Sequence, residues 1–175
     1  MQALWEFLID ILRRTAWFWR VIQPDQAGVR TVFGKRPKVV MPGFHLVWPI
    51  VGDIRICSVA ERVKDVRSQS LTTKDGKTVA VGISVAYSII DVYKALYEVQ
   101  DPEAAILNEA LRIVGEYVST NTSEVCSDAE AMCKWVLEEI RKVATVRWGL
   151  KIWRIGRSDW AQHRAIRLMS EYSAV

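Results

Sequence analysis

From Thr78 to Ile89 the chain alternates without a break: Val79, Val81, Ile83, Val85, Tyr87 and Ile89 fall on one side, Thr78, Ala80, Gly82, Ser84, Ala86 and Ser88 on the other. A period of two held this long predicts a strand that covers a core with one face. Just upstream, Asp75-Gly76 can supply the positive φ angles that a tight hairpin turn demands. Earlier, AGVRTVFG from Ala27 to Gly34 sets Val29, Thr31 and Phe33 against Arg30 and Val32, a half-buried strand that KRPK, with Pro37, is expected to end. Pro42-Gly43 predicts a turn, Pro49 closes the next apolar run, and Ile54, Ile56 and the region from Val59 to Val66 supply further strands.

Beyond Ile89 the period changes to that of helices. Asp91 opens a short one through Leu96. Asp101-Pro102-Glu103 then gives an N-cap, a first-turn proline and an acid that complements the helix dipole. Ile106, Leu107, Ala110, Leu111, Ile113, Val114, Tyr117 and Val118 form the apolar side of that helix. Ser127 and Glu130 have capping-box spacing for the next, whose Met132, Trp135, Val136, Ile140 and Val143 recur at helical intervals up to Trp148, with Gly149 placed to stop it. LKIWR at 150–154 predicts a short strand and residues 159–172 a last helix. Strands, then helices, then a returning strand predict an α+β domain: a mainly antiparallel sheet with helices on one face.

The first residues follow another pattern. Residues 3–22, ALWEFLIDILRRTAWFWRVI, are rich in Leu, Ile, Trp and Phe but carry Glu6, Asp10, Arg13, Arg14 and Arg20. No uncharged run reaches the roughly 18 residues that a spanning helix needs. Wound at about 100° per residue, the five charges share one arc of about 120°. The prediction for residues 1–23 is therefore an amphipathic helix lying in a membrane interface. Leu4, Trp5, Leu8, Ile9, Ile11, Leu12, Phe18, Trp19 and Ile22 would contact the membrane, and Arg13, Arg14 and Arg20 the lipid headgroups. The alternatives are a helix packed on the domain's own core or a partner, and a short re-entrant hairpin. Glu6 and Asp10 sit where a secretory signal needs a basic start and an unbroken apolar stretch.

Composition refines this only locally. The net charge of +4 leaves 20 acids nearly balancing 24 bases. Between Arg13 and Lys38, however, seven basic side chains face one acid, Asp25. That surplus beside the most apolar segment favours anionic lipid. Cys57, Cys126 and Cys133 are odd in number, form no disulfide framework or zinc spacing, and suit a reducing compartment.

Catalysis needs a positioned acid, base, nucleophile or metal, and none is evident. The only histidines are His45 and His163, and His45 reads as a turn residue with its ring bonded to backbone. The cysteines read as small buried hydrophobes, and Asp75-Gly76 as a turn with no phosphate loop around it. Trp153-Arg154 and Trp17 to Arg20 could stack bases, but at Trp17 to Arg20 a membrane interface explains the pairing better. Arg154, Arg157, Arg164 and Arg167 read as a solvated helix face or, failing that, a partner-docking surface. No cofactor, metal or nucleic acid is implied.

GVRTVFGK at 28–35, PGFHLVWP at 42–49, SLTTKDGKTVAVGISVAYSIID at 70–91 and WGLKIWRIGRSD at 148–159 occur in an order and spacing that resemble one family. It is the SPFH, or band 7, domain of stomatins, prohibitins, flotillins and bacterial membrane-protease regulators. The resemblance covers residues 22 to about 172, and the domain itself is taken as 24–175. It implies a membrane-anchored, non-enzymatic scaffold that self-assembles on a bilayer and organises or regulates membrane proteins. Its partners would be membrane lipids, further copies of the chain, and a membrane protease or another SPFH protein. Family members continue into a long coiled coil. This sequence ends at Val175, so the expectation is a short C-terminal helix and association through the domain itself. The alternative is a small adaptor that binds or inhibits a membrane protease or channel, or joins assemblies of longer SPFH proteins.

Overall fold

The structure, a computed structural model, describes Glu6, Asp10 and residues 19–47 and 52–163. Eight strands are β1 (Trp19–Ile22), β2 (Gln26–Val32), β3 (Lys35–Val40), β4 (Gly43–Leu46), β5 (Gly52–Ser58), β6 (Arg62–Thr72), β7 (Thr78–Ile89) and β8 (Leu150–His163). Between β7 and β8 lie a π-helical turn (Lys94–Glu98), α1 (Pro102–Thr120), α2 (Ser123–Ser127), α3 (Ala129–Val143) and a second π-helical turn (Ala144–Trp148). The strands form three antiparallel sheets, in the orders β1-β4, β3-β2-β5 and β6-β7-β8.

The expected α+β layering is present. Val79, Val81, Ile83, Val85 and Tyr87 of β7 are buried in one cluster with Ile106, Ile113 and Val118 of α1, Met132, Val136 and Ile140 of α3, and Ile152 of β8. Burial of each such side chain contributes about 1.5–3 kcal/mol, which makes this face the dominant stabilising term. A smaller cluster of Ala27, Val29 and Val92, with Cys57 and Leu96 against it, joins the sheet of β2 to the first π-helical turn. Asp101 caps α1 by accepting the Ala104 N–H at 3.0 Å, and Gly149 ends the second π-helical turn at φ 65°.

Several boundaries differ from expectation. Trp19 to Ile22 form a strand and not the end of a helix, and Ile22 is buried at 2% exposure, so it is not a membrane contact. Glu6 and Asp10 are helical and exposed. The other residues of the expected membrane helix, among them Leu4, Trp5, Leu8, Ile9, Ile11, Leu12, Arg13, Arg14 and Phe18, lie outside the described residues. Pro37 does not end a strand but sits within β3, an edge strand, where its missing N–H leaves no ladder bond unmade. The cap of α3 is Asp128, which accepts from the Glu130 and Ala131 N–H groups, and not Ser127. Residues 159–163 continue β8 because β7 offers a partner along its whole length, from Ile89↔Leu150 to Thr78↔His163. The remainder of the expected last helix lies outside the described residues.

Both flanking strands bulge at the level of Gly82. There Ser68 Oγ of β6 donates to Asp159 Oδ2 of β8 at 2.9 Å. A side chain on Gly82 would meet Ser68 Oγ at 2.7 Å, so glycine lets this bridge pass over the central strand. A second bulge in β8 sits beside Tyr87, and Arg141 donates from Nε and Nη2 to the Ile152 carbonyl there, each at 3.1 Å.

The hairpin before β7 is tied to the helices through Asp75. Its carboxylate accepts from the Thr73 hydroxyl, from Lys77 Nζ at 3.1 Å and from the Ser123 N–H at 3.1 Å. The Thr73 bond, then Lys77 and Ser123, hold the carboxyl down to about 2 from 3.8 against a smaller opposing desolvation. A depressed folded-state value means stabilisation that is complete above about pH 4 and lost as pH falls toward 2. Asp75→Asn is expected to lower the urea midpoint at pH 7, with the gap to the parent closing as both are taken to pH 2. An equal gap at both pH values would show that Asp75 contributes packing and not charge.

Candidate functional site

β1 and β4 form a two-stranded ribbon apart from the other sheets, in the register Trp19↔Leu46, Arg20↔His45, Val21↔Phe44 and Ile22↔Gly43. Directly opposed residues share a face, so Trp19, Val21, Phe44 and Leu46 line one side and Arg20, Ile22 and His45 the other. The apolar side faces outward: these four side chains are 48%, 65%, 56% and 57% exposed. Ile22 is the one buried residue of the ribbon, so the usual apolar-in arrangement is inverted. Trp19 and Phe44 meet edge to face at 4.4 Å between ring centres, an arrangement worth about 0.5–1.5 kcal/mol beyond its area.

The exposed apolar surface extends beyond the ribbon. Phe33, Val39 and Met41 are also exposed, so half of the exposed large hydrophobic side chains of the described residues fall between Trp19 and Leu46. Phe33 has φ 52° and Gly34 φ 66°. Two positive values make the two-residue loop between β2 and β3 a type I′ turn, whose first place Asn normally takes. A left-handed L-residue costs about 1–2 kcal/mol, yet the 74% exposed Phe33 ring recovers almost no burial.

The other candidate groups have structural partners. His45 Nε2 donates to the Met41 carbonyl at 2.7 Å, the turn role expected of it. Burial raises the pKa of all three thiols, with Arg62 opposing at Cys57, Asp75 reinforcing at Cys126 and Arg157 opposing at Cys133. That is the reverse of what a thiolate nucleophile needs. Tyr87 Oη donates to Glu103 Oε2 at 3.0 Å, and Lys64 Nζ meets Glu103 Oε1 at 2.7 Å. Desolvation and then Glu103 push the phenol up to about 12, while Lys64 lowers the carboxyl, so the trio pins α1 to β6 and β7. Among the described residues no three His, Cys, Asp or Glu side chains are grouped to hold a metal.

Nor do the C-terminal arginines share a helix face. Arg154 is an exposed residue of β8, and Arg157 Nη1 donates to the Cys126 and Ser127 carbonyls at the end of α2, at 3.2 and 3.0 Å. Arg164 and Arg167 lie outside the described residues. Trp153 donates to Ser88 Oγ at 2.9 Å and has Lys151 Nζ 3.8 Å from its ring centre, so one ring face is occupied.

The profile of the SPFH domain / Band 7 family matches residues 20–155, from the first residues of the ribbon into β8. The chain belongs to that family. SPFH proteins are in general membrane-associated scaffolds and not enzymes. Among relatives, an uncharacterised protein of Methanothermobacter thermautotrophicus is 26% identical over 78% of this chain and 43% of its own length. Another from Methanocaldococcus jannaschii is 29% identical over 77% of this chain and 68% of its own. Human mitochondrial stomatin-like protein 2 is 27% identical over 79% of this chain, which spans only 39% of it.

Sequence reasoning placed Trp19 and Arg20 on a membrane-facing helix, and it missed the ribbon. The available signal was alternation in two short segments, Trp19/Val21 and Phe44/Leu46, on either side of Pro42-Gly43. If the outer ribbon face is surface and not core, Phe44→Ser is expected to cost about 1 kcal/mol in urea unfolding while reducing binding of a hydrophobic dye to the folded protein. A loss above about 3 kcal/mol would place Phe44 in a packed interior.

Proposed function

We propose that this chain is a membrane-associated SPFH scaffold that docks on one leaflet and assembles there with further copies to organise membrane proteins. The observation that carries the reading is the outward apolar face of the β1–β4 ribbon, which water does not favour and an acyl boundary does. Leu4, Trp5, Leu8, Ile9, Ile11, Leu12, Phe18 and Trp19 contact the bilayer, with Arg13, Arg14 and Arg20 at headgroup level. No helix among the described residues is long and apolar enough to cross a membrane. Family membership supports the scaffold role, and the compartment on the domain's side is a reducing one that keeps the three thiols free.

Flotation of the full chain with lipid vesicles tests this. The parent is expected to float, and Trp19→Ser/Phe44→Ser to lose at least about tenfold in partitioning, without loss of the folded circular-dichroism spectrum. Cross-linking of the floated protein is expected to give a ladder of oligomers. Flotation as a monomer would end the scaffold claim in favour of an adaptor for a membrane protease, a channel or a longer SPFH protein. A parent that stays in the soluble fraction would end the membrane claim itself.

A further inference from the structure

The tip of the β2–β3 hairpin holds a cavity of about 490 Å³ lined, among the described residues, by Arg30, Val32, Phe33, Lys35 and Lys38. The register explains why they converge. Arg30 lies opposite Lys38 and Val32 opposite Lys35, and the irregularity between the two pairs turns both lysines, three residues apart, to one face. Three cations therefore line one concave surface, and no described acid joins the lining. Arg30 Nε is buried and has no hydrogen-bond partner among the described residues. A buried donor without an acceptor is unfavourable, and a bound anion would satisfy it.

We propose that this cavity binds a phosphate group, with the Arg30 guanidinium donating to its oxygens and Lys35 and Lys38 balancing its charge. The guanidinium fork matches a phosphate, and the lysines act as point charges. The strained and exposed Phe33 at the rim gives the phosphate a source. A free phosphate has no use for an outward aromatic ring, whereas a phospholipid places acyl chains next to its headgroup. The ligand is thus an anionic phospholipid headgroup, with Phe33 entering the layer beneath it. This lipid assignment rests on the membrane reading above. The phosphate site itself does not.

The test titrates the full chain with dihexanoyl-phosphatidylglycerol below its micelle concentration, with the phosphatidylcholine counterpart, and with inorganic phosphate. The parent is expected to prefer the anionic lipid. Arg30→Gln and Lys38→Gln are each expected to weaken that binding about fivefold. Lys38 is exposed on an edge strand, so its variant should fold even if the Arg30 variant does not. Phe33→Asn is expected to raise the Tm by relieving the turn, to leave inorganic phosphate binding unchanged and to weaken lipid binding. Unchanged lipid binding by Lys38→Gln and Arg30→Gln would overturn the site, even with flotation of the parent intact. Charge-sensitive phosphate binding that Phe33→Asn leaves equal for lipid and free phosphate would overturn the headgroup assignment. Short-chain lipid binding without flotation on vesicles would keep the site and remove the membrane reading.

Discussion

The burial of one face of β7 is the constraint on which the rest of the structure depends. Val79, Val81, Ile83 and Val85 are all at most 2% exposed, and the helices are held over them by Ile106, Ile113, Met132, Val136 and Ile140. With that face fixed, the register of β6 and β8 follows, because a slip of one residue would turn their inward side chains to solvent. The polar ties then act as fastenings on a platform that packing has already built. Asp75 locks the hairpin to α2, Glu103 locks α1 to the strands, and Arg141 donates to the Ile152 carbonyl beside a bulge in β8.

The region from Trp19 to Leu46 obeys different rules. Its ribbon turns apolar side chains outward, its hairpin tip holds a phenylalanine in a left-handed conformation, and its cations gather with no acid beside them among the described lining residues. Each departure is unfavourable for a domain surrounded by water alone. Natural sequences keep such local conflicts mainly where function requires them. Stable helix-covered sheet and unconventional edge together suit an SPFH domain read as a platform that meets a lipid surface at one end.

Legibility in the sequence follows this division. The strand of β7, the start of α1 at Asp101 and the stop at Gly149 were readable because local propensity and final packing agree there. The length of β8 was not, since residues 159–163 are strand only by virtue of the partner β7 provides. Phe33-Gly34 was hidden because phenylalanine carries no turn signal, and Pro37 was misread because its tolerance depends on β3 lying at an edge. Trp19 to Ile22 looked helical because four residues are too few to separate one period from another. Their strand character is set by Gly43 to Leu46, far along the chain. The four family segments were legible as a set, yet the cationic cavity, which joins residues of the first of them to Lys38 beyond it, emerges only when Lys35 and Lys38 are folded back against Val32 and Arg30.

The ribbon's small size has a kinetic consequence. Four residues on each side make a pairing that is marginal by itself, and it is separate from the large core that sustains the helices. Opening it is a local event, well below the free energy of global unfolding. A domain attached through such an element does not have to leave a surface in one step. In the attachment proposed above, release would begin with the few hydrogen bonds between Trp19 and Leu46, while the fold itself persists.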